Sequence, residues 1–265
     1  MLLVFCKPLA ILMTMRLNFL LLLLFTSTVT LAVEPIHVTV GMYPFAPFVE
    51  LKGSQGEVGM TLDLVAALNK SQKKYYFDTF LIPPKRRYQS FKDSHYDVIF
   101  YESKSWGWQD INVDVSKVYQ EGGEVYIALK KPERNQSYFT DLTHKRMIGI
   151  SGFHYSFANY NYEEEYLVEN FNMLLTPDND RNIKLLLNGR GDIAVVTNAY
   201  LKRFLLDYPN VSPRLLISEK LAQKYNHTVL LRPGISPSVH EMNTMLNHLK
   251  KTGEMEKLLE KYGLN

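Results

Sequence analysis

From residue 36 to the C-terminus, strand-like and helix-like segments alternate, and this alternation constrains the fold more than any other feature of the chain. His37 to Met42 alternates apolar and polar residues as a strand does, and Thr61 stands where it can cap a helix carrying Leu62, Val65 and Leu68 on one face. Tyr75 to Leu81 reads as a strand, Lys85 to Lys92 as a short helix, and Asp97 to Tyr101 and Val125 to Leu129 as two further strands. A second series follows. Met147 to Ile150, Met173 to Leu175 and Asp192 to Val196 read as strands, separated by helices at Tyr155 to Val168 and Ile183 to Leu187, the latter stopped by Asn188-Gly189. Helices over 237–250 and 254–262 close the chain. Such alternation predicts an α/β fold of two units, each a mostly parallel sheet flanked by helices, joined by short crossings.

The segment before residue 34 has a different character. Residues 17–33 read LNFLLLLLFTSTVTLAV, with an apolar core from Phe19 to Phe25 that suits an export signal and is too short to cross a bilayer. Arg16 supplies the basic flank, and Thr30-Leu31-Ala32 places small residues for cleavage after Ala32; an uncleaved anchor is the alternative. Met15 makes a more conventional start than Met1, since Lys7-Pro8 interrupts the earlier apolar run. The only cysteine, Cys6, falls within residues 1–32, so the exported chain has no thiol for a disulfide, a metal or nucleophilic catalysis. Removing Lys7 and Arg16 with the signal leaves 28 basic against 27 acidic residues, a balance that argues against a nucleic-acid partner.

Motifs of known chemistry are absent. There is no GxGxxG, P-loop, HExxH or GxSxG, and the seven histidines are scattered without metal-ligand spacing, so no cofactor and no metal are expected. This shifts the expectation from catalysis to binding.

Six segments in order carry a resemblance. They are Val38 to Phe48 (VTVGMYPFAPF), Gly56 to Leu64 (GEVGMTLDL), and Ser90-Phe91 followed by Tyr96-Asp97-Val98-Ile99. Then come Val113 to Tyr119 (VDVSKVY), Asn188 to Ala194 (NGRGDIA) and the terminal pattern from Asn247 to Tyr262. Together the chain resembles the bacterial periplasmic solute-binding proteins of the polar amino-acid type. The resemblance implies two lobes closing on a solute, with lobe 1 at about 33–122 plus 227–265, lobe 2 at about 126–222, and hinges at about 123–125 and 223–226. It implies a monomer in the periplasm that delivers a small molecule to an ABC importer in the inner membrane. A ligand-sensing subunit for a membrane receptor kinase, or a dehydratase-like enzyme of this fold with Glu102 and His154 as acid and base, are the alternatives.

The positions that read an amino acid depart from that pattern. Where the family has an arginine for the α-carboxylate this chain has Gln109, and where it has an acid for the α-ammonium the chain has Asn198. The lobe 2 hydroxyls are replaced by Phe153 and His154. A standard α-amino acid is therefore not the expected ligand. Tyr43, Phe45, Phe48, Tyr101, Glu102, Trp106 and Trp108 are the remaining cleft candidates, with Phe48 and Tyr101 equally readable as core. Trp106 and Trp108, separated by Gly107, are expected to face the cleft. In Lys85-Arg86-Arg87 either the turn is simply solvated or Arg86 replaces the missing anchor, acting with Trp108 on one anionic or polar ligand. N-terminal sequencing of the exported protein is expected to start at Val33; a start upstream of the apolar core would show that the segment is retained.

Overall fold

The computed structural model describes residues 34–264; the expected export signal lies outside them. Strands β1 (Ile36–Met42), β4 (Tyr75–Leu81) and β5 (Val98–Glu102) run parallel in the order β4-β1-β5. Short β2 (Glu50–Leu51) and β3 (Glu57–Val58) pair separately in the loop that follows β1, and helices α1 (Met60–Ser71) and α2 (Arg87–Lys92) supply the crossovers. β6 (Asp114–Val115) is a two-residue edge piece. The same plan recurs with β8 (Met147–Ile150), β9 (Met173–Thr176) and β10 (Ile193–Thr197), ordered β9-β8-β10, with α3 (Glu164–Phe171) and α4 (Asn179–Leu187) between them. In both halves the second strand sits outside the first and the third inside, so both sets of carboxyl ends can form one site.

Two long strands connect the halves. β7 (Gln120–Leu129) and β12 (Gln223–Leu231) pair antiparallel; β12 also pairs with β5, while β7 also pairs with β10 and with β11 (Leu215–Ile217). The result is a ten-stranded sheet, with α5 (Asn198–Asp207) over the second half and α6 (Val239–Lys251) and α7 (Glu254–Lys261) returning to the first. Asp63 of α1 accepts hydrogen bonds from Lys261 Nζ at 2.6 Å and the Tyr262 hydroxyl at 2.7 Å, which fastens this C-terminal pair to the first half.

Two expectations need correction. Residues 155–168 do not form one helix. Asn159 and Tyr160 lie in the left-handed region (φ 51° and 61°), so the chain makes a short turn at Ser156–Ala158 and begins α3 only at Glu164. Thr61 is not a cap, because the helix starts one residue earlier from Gly59. Gly59 has φ 137°, and a Cβ there would lie 2.4 Å from the Phe48 carbonyl oxygen; only glycine permits that approach. The structure adds β12 and α5 to the expected elements; β12 begins Gln-Lys-Tyr-Asn-His, whose period of two is carried by buried Gln223, Tyr225 and His227 rather than by aliphatic residues.

Between the connecting strands sits an unpaired acid. Glu124 of β7 faces Gln223 of β12 and Thr197 of β10 in register, is buried, and its Oε2 has no hydrogen-bond partner. Burial pushes its pKa up to about 8, offset only partly by a hydrogen bond from Tyr225. The folded state thus holds a proton that the unfolded state releases above its ordinary value near 4.5, so stability falls as pH rises from about 4.5 to about 8. Glu124→Gln should remove that decline and raise Tm at pH 9 while changing it little at pH 4.5; calorimetry at the two pH values checks this.

Candidate functional site

The carboxyl ends of β1, β4 and β5 meet those of β8, β9 and β10 across a cleft. Its floor is a buried ion pair. Arg87 opens α2 after Pro83-Pro84, where neighbouring Lys85 and Arg86 are exposed and only Arg87 turns inward. Arg87 Nε lies 3.2 Å from Glu102 Oε1 at the end of β5, the two side chains being 2% and 0% exposed. Nη1 donates to the Pro84 carbonyl at 2.6 Å, and the guanidinium sits 4.9 Å from the Tyr43 ring centroid and 4.4 Å from that of Tyr88. Trp108 Nε1 donates to Glu102 Oε2 at 3.2 Å. Burial raises the Glu102 pKa and Arg87 pulls it back; burial also opposes the guanidinium charge, and Glu102 together with Tyr43, Tyr88 and Tyr96 outweighs this, so the Arg87 pKa is raised and it stays protonated.

The second half reaches this floor with one polar side chain. His154, in the loop after β8, places Nδ1 at 3.3 Å from Arg87 Nη2 and Nε2 at 3.1 Å from the Tyr88 hydroxyl. Arginine can only donate, so Nδ1 is the acceptor and the proton sits on Nε2. Tyr88 passes its own proton to the Trp106 carbonyl at 2.6 Å and accepts from Nε2. Burial, helped by the Arg87 charge, lowers the His154 pKa to about 3. Gly107 makes the approach possible: with φ 79°, a Cβ there would sit 2.6 Å from the Tyr88 hydroxyl and 3.0 Å from His154 Nε2.

Around these groups is an aromatic wall. Tyr43, Phe45, Trp106, Phe153 and Tyr225 line, with Arg87 and His154, a cavity of ≈ 20 Å³, room for about one water molecule. Phe45 and Phe153 meet edge to face across the cleft at 5.3 Å and 90°, and beyond them opens a larger chamber of ≈ 390 Å³. Its walls are Val49, Glu50 and Leu51 on one side and Ile150, Pro177–Asp180 and Tyr200 on the other. Two ion pairs span the cleft at its rim, Lys85–Glu164 and Glu50–Arg203, each at 2.7 Å.

Of the residues singled out in the sequence, Tyr43, Phe45, Trp106, Phe153 and His154 line the inner cavity, and Glu102 lies behind Arg87. The others stand elsewhere. Arg86 is exposed; Arg87, one residue on, holds the inward position because it shares the buried helix face with Phe91. Trp108 is fully buried against Tyr88 and Phe91 rather than facing the cleft, the glycine between the tryptophans sending them to different surroundings. Gln109 is exposed and donates to the Ser105 carbonyl. Phe48 and Tyr101 stack in the core at 4.2 Å, and Asn198 borders a separate 120 Å³ cavity beside Gly122 and Lys202. Glu102 and His154 do not face each other as an acid and base, since both are partners of Arg87. Arg87, Tyr88 and Tyr225 were not foreseen. Arg87 and Phe91, four residues apart on a short helix, share a face, but that spacing alone does not set Arg87 apart from Arg86.

Residues 38–265 match the family model of the bacterial extracellular solute-binding proteins, family 3. The chain belongs to this family. Solved structures with the same two-lobed, type II periplasmic binding protein fold include a mutant of ArgBP from T. maritima, with TM-score 0.66, 20% identity, and 86% of this chain and 96% of that one covered. The substrate binding protein of an amino acid ABC transporter aligns at TM-score 0.63 and 20% identity over 85% and 98% of the two chains. A histidine kinase sensor domain with similarity to periplasmic binding proteins aligns at 0.61 and 17% over 86% and 96%. At such identities the likeness shows the fold. No curated protein matches the sequence.

Because Trp108 is enclosed and donates to a buried carboxylate, Trp108→Ala should lower stability by about 3–5 kcal/mol, seen as a shift of the denaturant midpoint. Trp106→Ala, at the cavity wall, should cost visibly less.

Proposed function

We propose that this family member is an exported receptor that closes on a small polar or anionic solute and hands it to an ABC importer, without catalysing a reaction. The solute's acceptor group is held by Arg87, and its body by Tyr43, Phe45, Trp106, Phe153 and Tyr225. One observation carries the reading: among the described residues, Arg87 is the only ionised side chain bordering the inner, aromatic-walled cavity, and its partner Glu102 lies behind it. An anion or a strong acceptor facing a buried guanidinium forms a charge-assisted bond in surroundings that screen it weakly.

The same geometry weighs against a standard α-amino acid. Its ammonium needs a carboxylate beside the inner cavity, and the acid there, Glu102, is already committed to Arg87 and Trp108, whereas Glu50, Asp178 and Asp180 line only the larger chamber beyond Phe45 and Phe153. It weighs against acid–base catalysis too, because His154 spends its only lone pair on Arg87.

A thermal-shift screen of aromatic acids, amino acids, peptides and polyamines tests this. A true ligand at a hundred times its dissociation constant adds about 2.7 kcal/mol of stability. For a ligand so found, Arg86→Ala should bind like wild type. Arg87→Gln combined with Glu102→Gln, which avoids stranding a buried carboxylate, should lose about ten- to a hundredfold in affinity. Weakened binding by Arg86→Ala, or tight binding of a simple amino acid, overturns the assignment.

A further inference from the structure

Every polar atom of His154 is engaged by the opposite half of the cleft. Nδ1 accepts from Arg87 and Nε2 donates to Tyr88, and the ring lies 4.7 Å from that of Tyr162. Among the described residues the other contacts across this part of the cleft include the Phe45–Phe153 edge, the tilted Tyr88–Tyr162 ring pair at 6.0 Å and the Lys85–Glu164 pair, whose side chains are about half exposed. Exposed pairs contribute little. Among the described residues the imidazole is therefore the buried polar contact that brings the loop after β8 to the Arg87 floor, and the donor it occupies, Nη2, belongs to the one ionised side chain bordering the cavity.

We propose that His154 is a built-in competitor for the solute: its imidazole holds, across the cleft, the Arg87 donor that the solute's acceptor group must take over. This rests on the solute-binding reading above and narrows the solute to one carrying a planar acceptor, such as a carboxylate on a flat apolar body, that fits where the imidazole stands. Such a solute must displace His154, so affinity is set partly by how firmly the protein binds its own side chain.

The contact is sensitive to protonation. The groups facing His154 are Arg87 and Tyr88 of α2, Tyr162, and Glu102 through Arg87; Lys85 lies by the adjacent Gly152. A proton on Nδ1 would set an N–H against the Arg87 N–H groups. With the His154 pKa lowered to about 3 by burial and then by Arg87, an opened cleft binds a proton below about 6.5 and the closed one does not, so closure weakens as pH falls from about 6.5 toward 3.

Small-angle scattering and the fluorescence of Trp106, measured on wild type, His154→Asn and His154→Leu at pH 7 and pH 5, test the contact. Both pH values lie above the range of ordinary carboxylates. Wild type should be compact at pH 7 and expand at pH 5. His154→Asn, which keeps an acceptor near Nδ1 but takes no proton, should stay compact at both, and His154→Leu should be expanded at both. Benzoate, a planar carboxylate, should bind His154→Leu about tenfold more tightly than wild type or His154→Asn. A His154→Leu variant as compact as wild type, or equal expansion of wild type and His154→Asn at pH 5, overturns the inference and leaves the solute reading standing if benzoate binds. Compactness that follows His154 with no benzoate binding by any of the three overturns the competition, and with it the planar-acid reading of the solute.

Discussion

A guanidinium and a carboxylate lie 3.2 Å apart at the floor of the cleft with almost no access to water, and the rest of the site is arranged around keeping them there. Desolvating two charges costs several kcal/mol per ion unless their remaining donors and acceptors are met. Here the Pro84 carbonyl, the Trp108 indole and the faces of Tyr43 and Tyr88 meet part of this need from one half and His154 from the other, while Arg87 Nε and Glu102 Oε1 face each other without a well-formed hydrogen bond. The pair thus does two things. It makes the floor nearly neutral overall, and it leaves Arg87 Nη2 in contact with His154 of the opposing lobe.

Topology explains why that edge meets anything. Because both halves repeat the same order of parallel strands, the loops after β1, β4 and β5 and those after β8, β9 and β10 face one another, and β7 and β12 hold the halves side by side. The loops carry small and aromatic residues that let backbones approach closely, as Gly59 does beside Phe48 and Gly107 beside Tyr88 and His154. Tyr101 at the end of β5 has φ 57°, a strained conformation for an aromatic residue costing roughly 1–3 kcal/mol, held by its stack on Phe48. Strain of this kind persists where the surrounding packing over-determines it, and it lies one residue before Glu102.

Closure in such a fold must be reversible, and the contacts across the cleft suit that. Of the rim pairs, Lys85–Glu164 is about half exposed and therefore weak, while Glu50–Arg203 is more enclosed. The Phe45–Phe153 edge and the His154 bonds are buried but few. Together these contacts hold the two halves against each other without locking them.

Much of this was legible in the sequence. The alternation of β and α patterns located most of the parallel strands, because period-two and aliphatic runs report burial in a sheet directly. The aromatic loop at Tyr43–Phe48 and the pair Phe153-His154 stood out by residue type. What the sequence could not reveal turned on single residues: Arg87 rather than Arg86 at the floor, Trp106 at the wall while Trp108 goes into the core, and polar Gln223 and His227 as interior positions of β12. The alternation of β and α patterns determined that this chain builds two sheet-and-helix units, and the family resemblance implied the aromatic-lined cleft between them. Only tertiary packing decided which charged side chain turned inward, because burying a charge is decided by the partners that distant segments bring to it, and Glu102, Trp108 and His154 reach Arg87 from three different places in the chain.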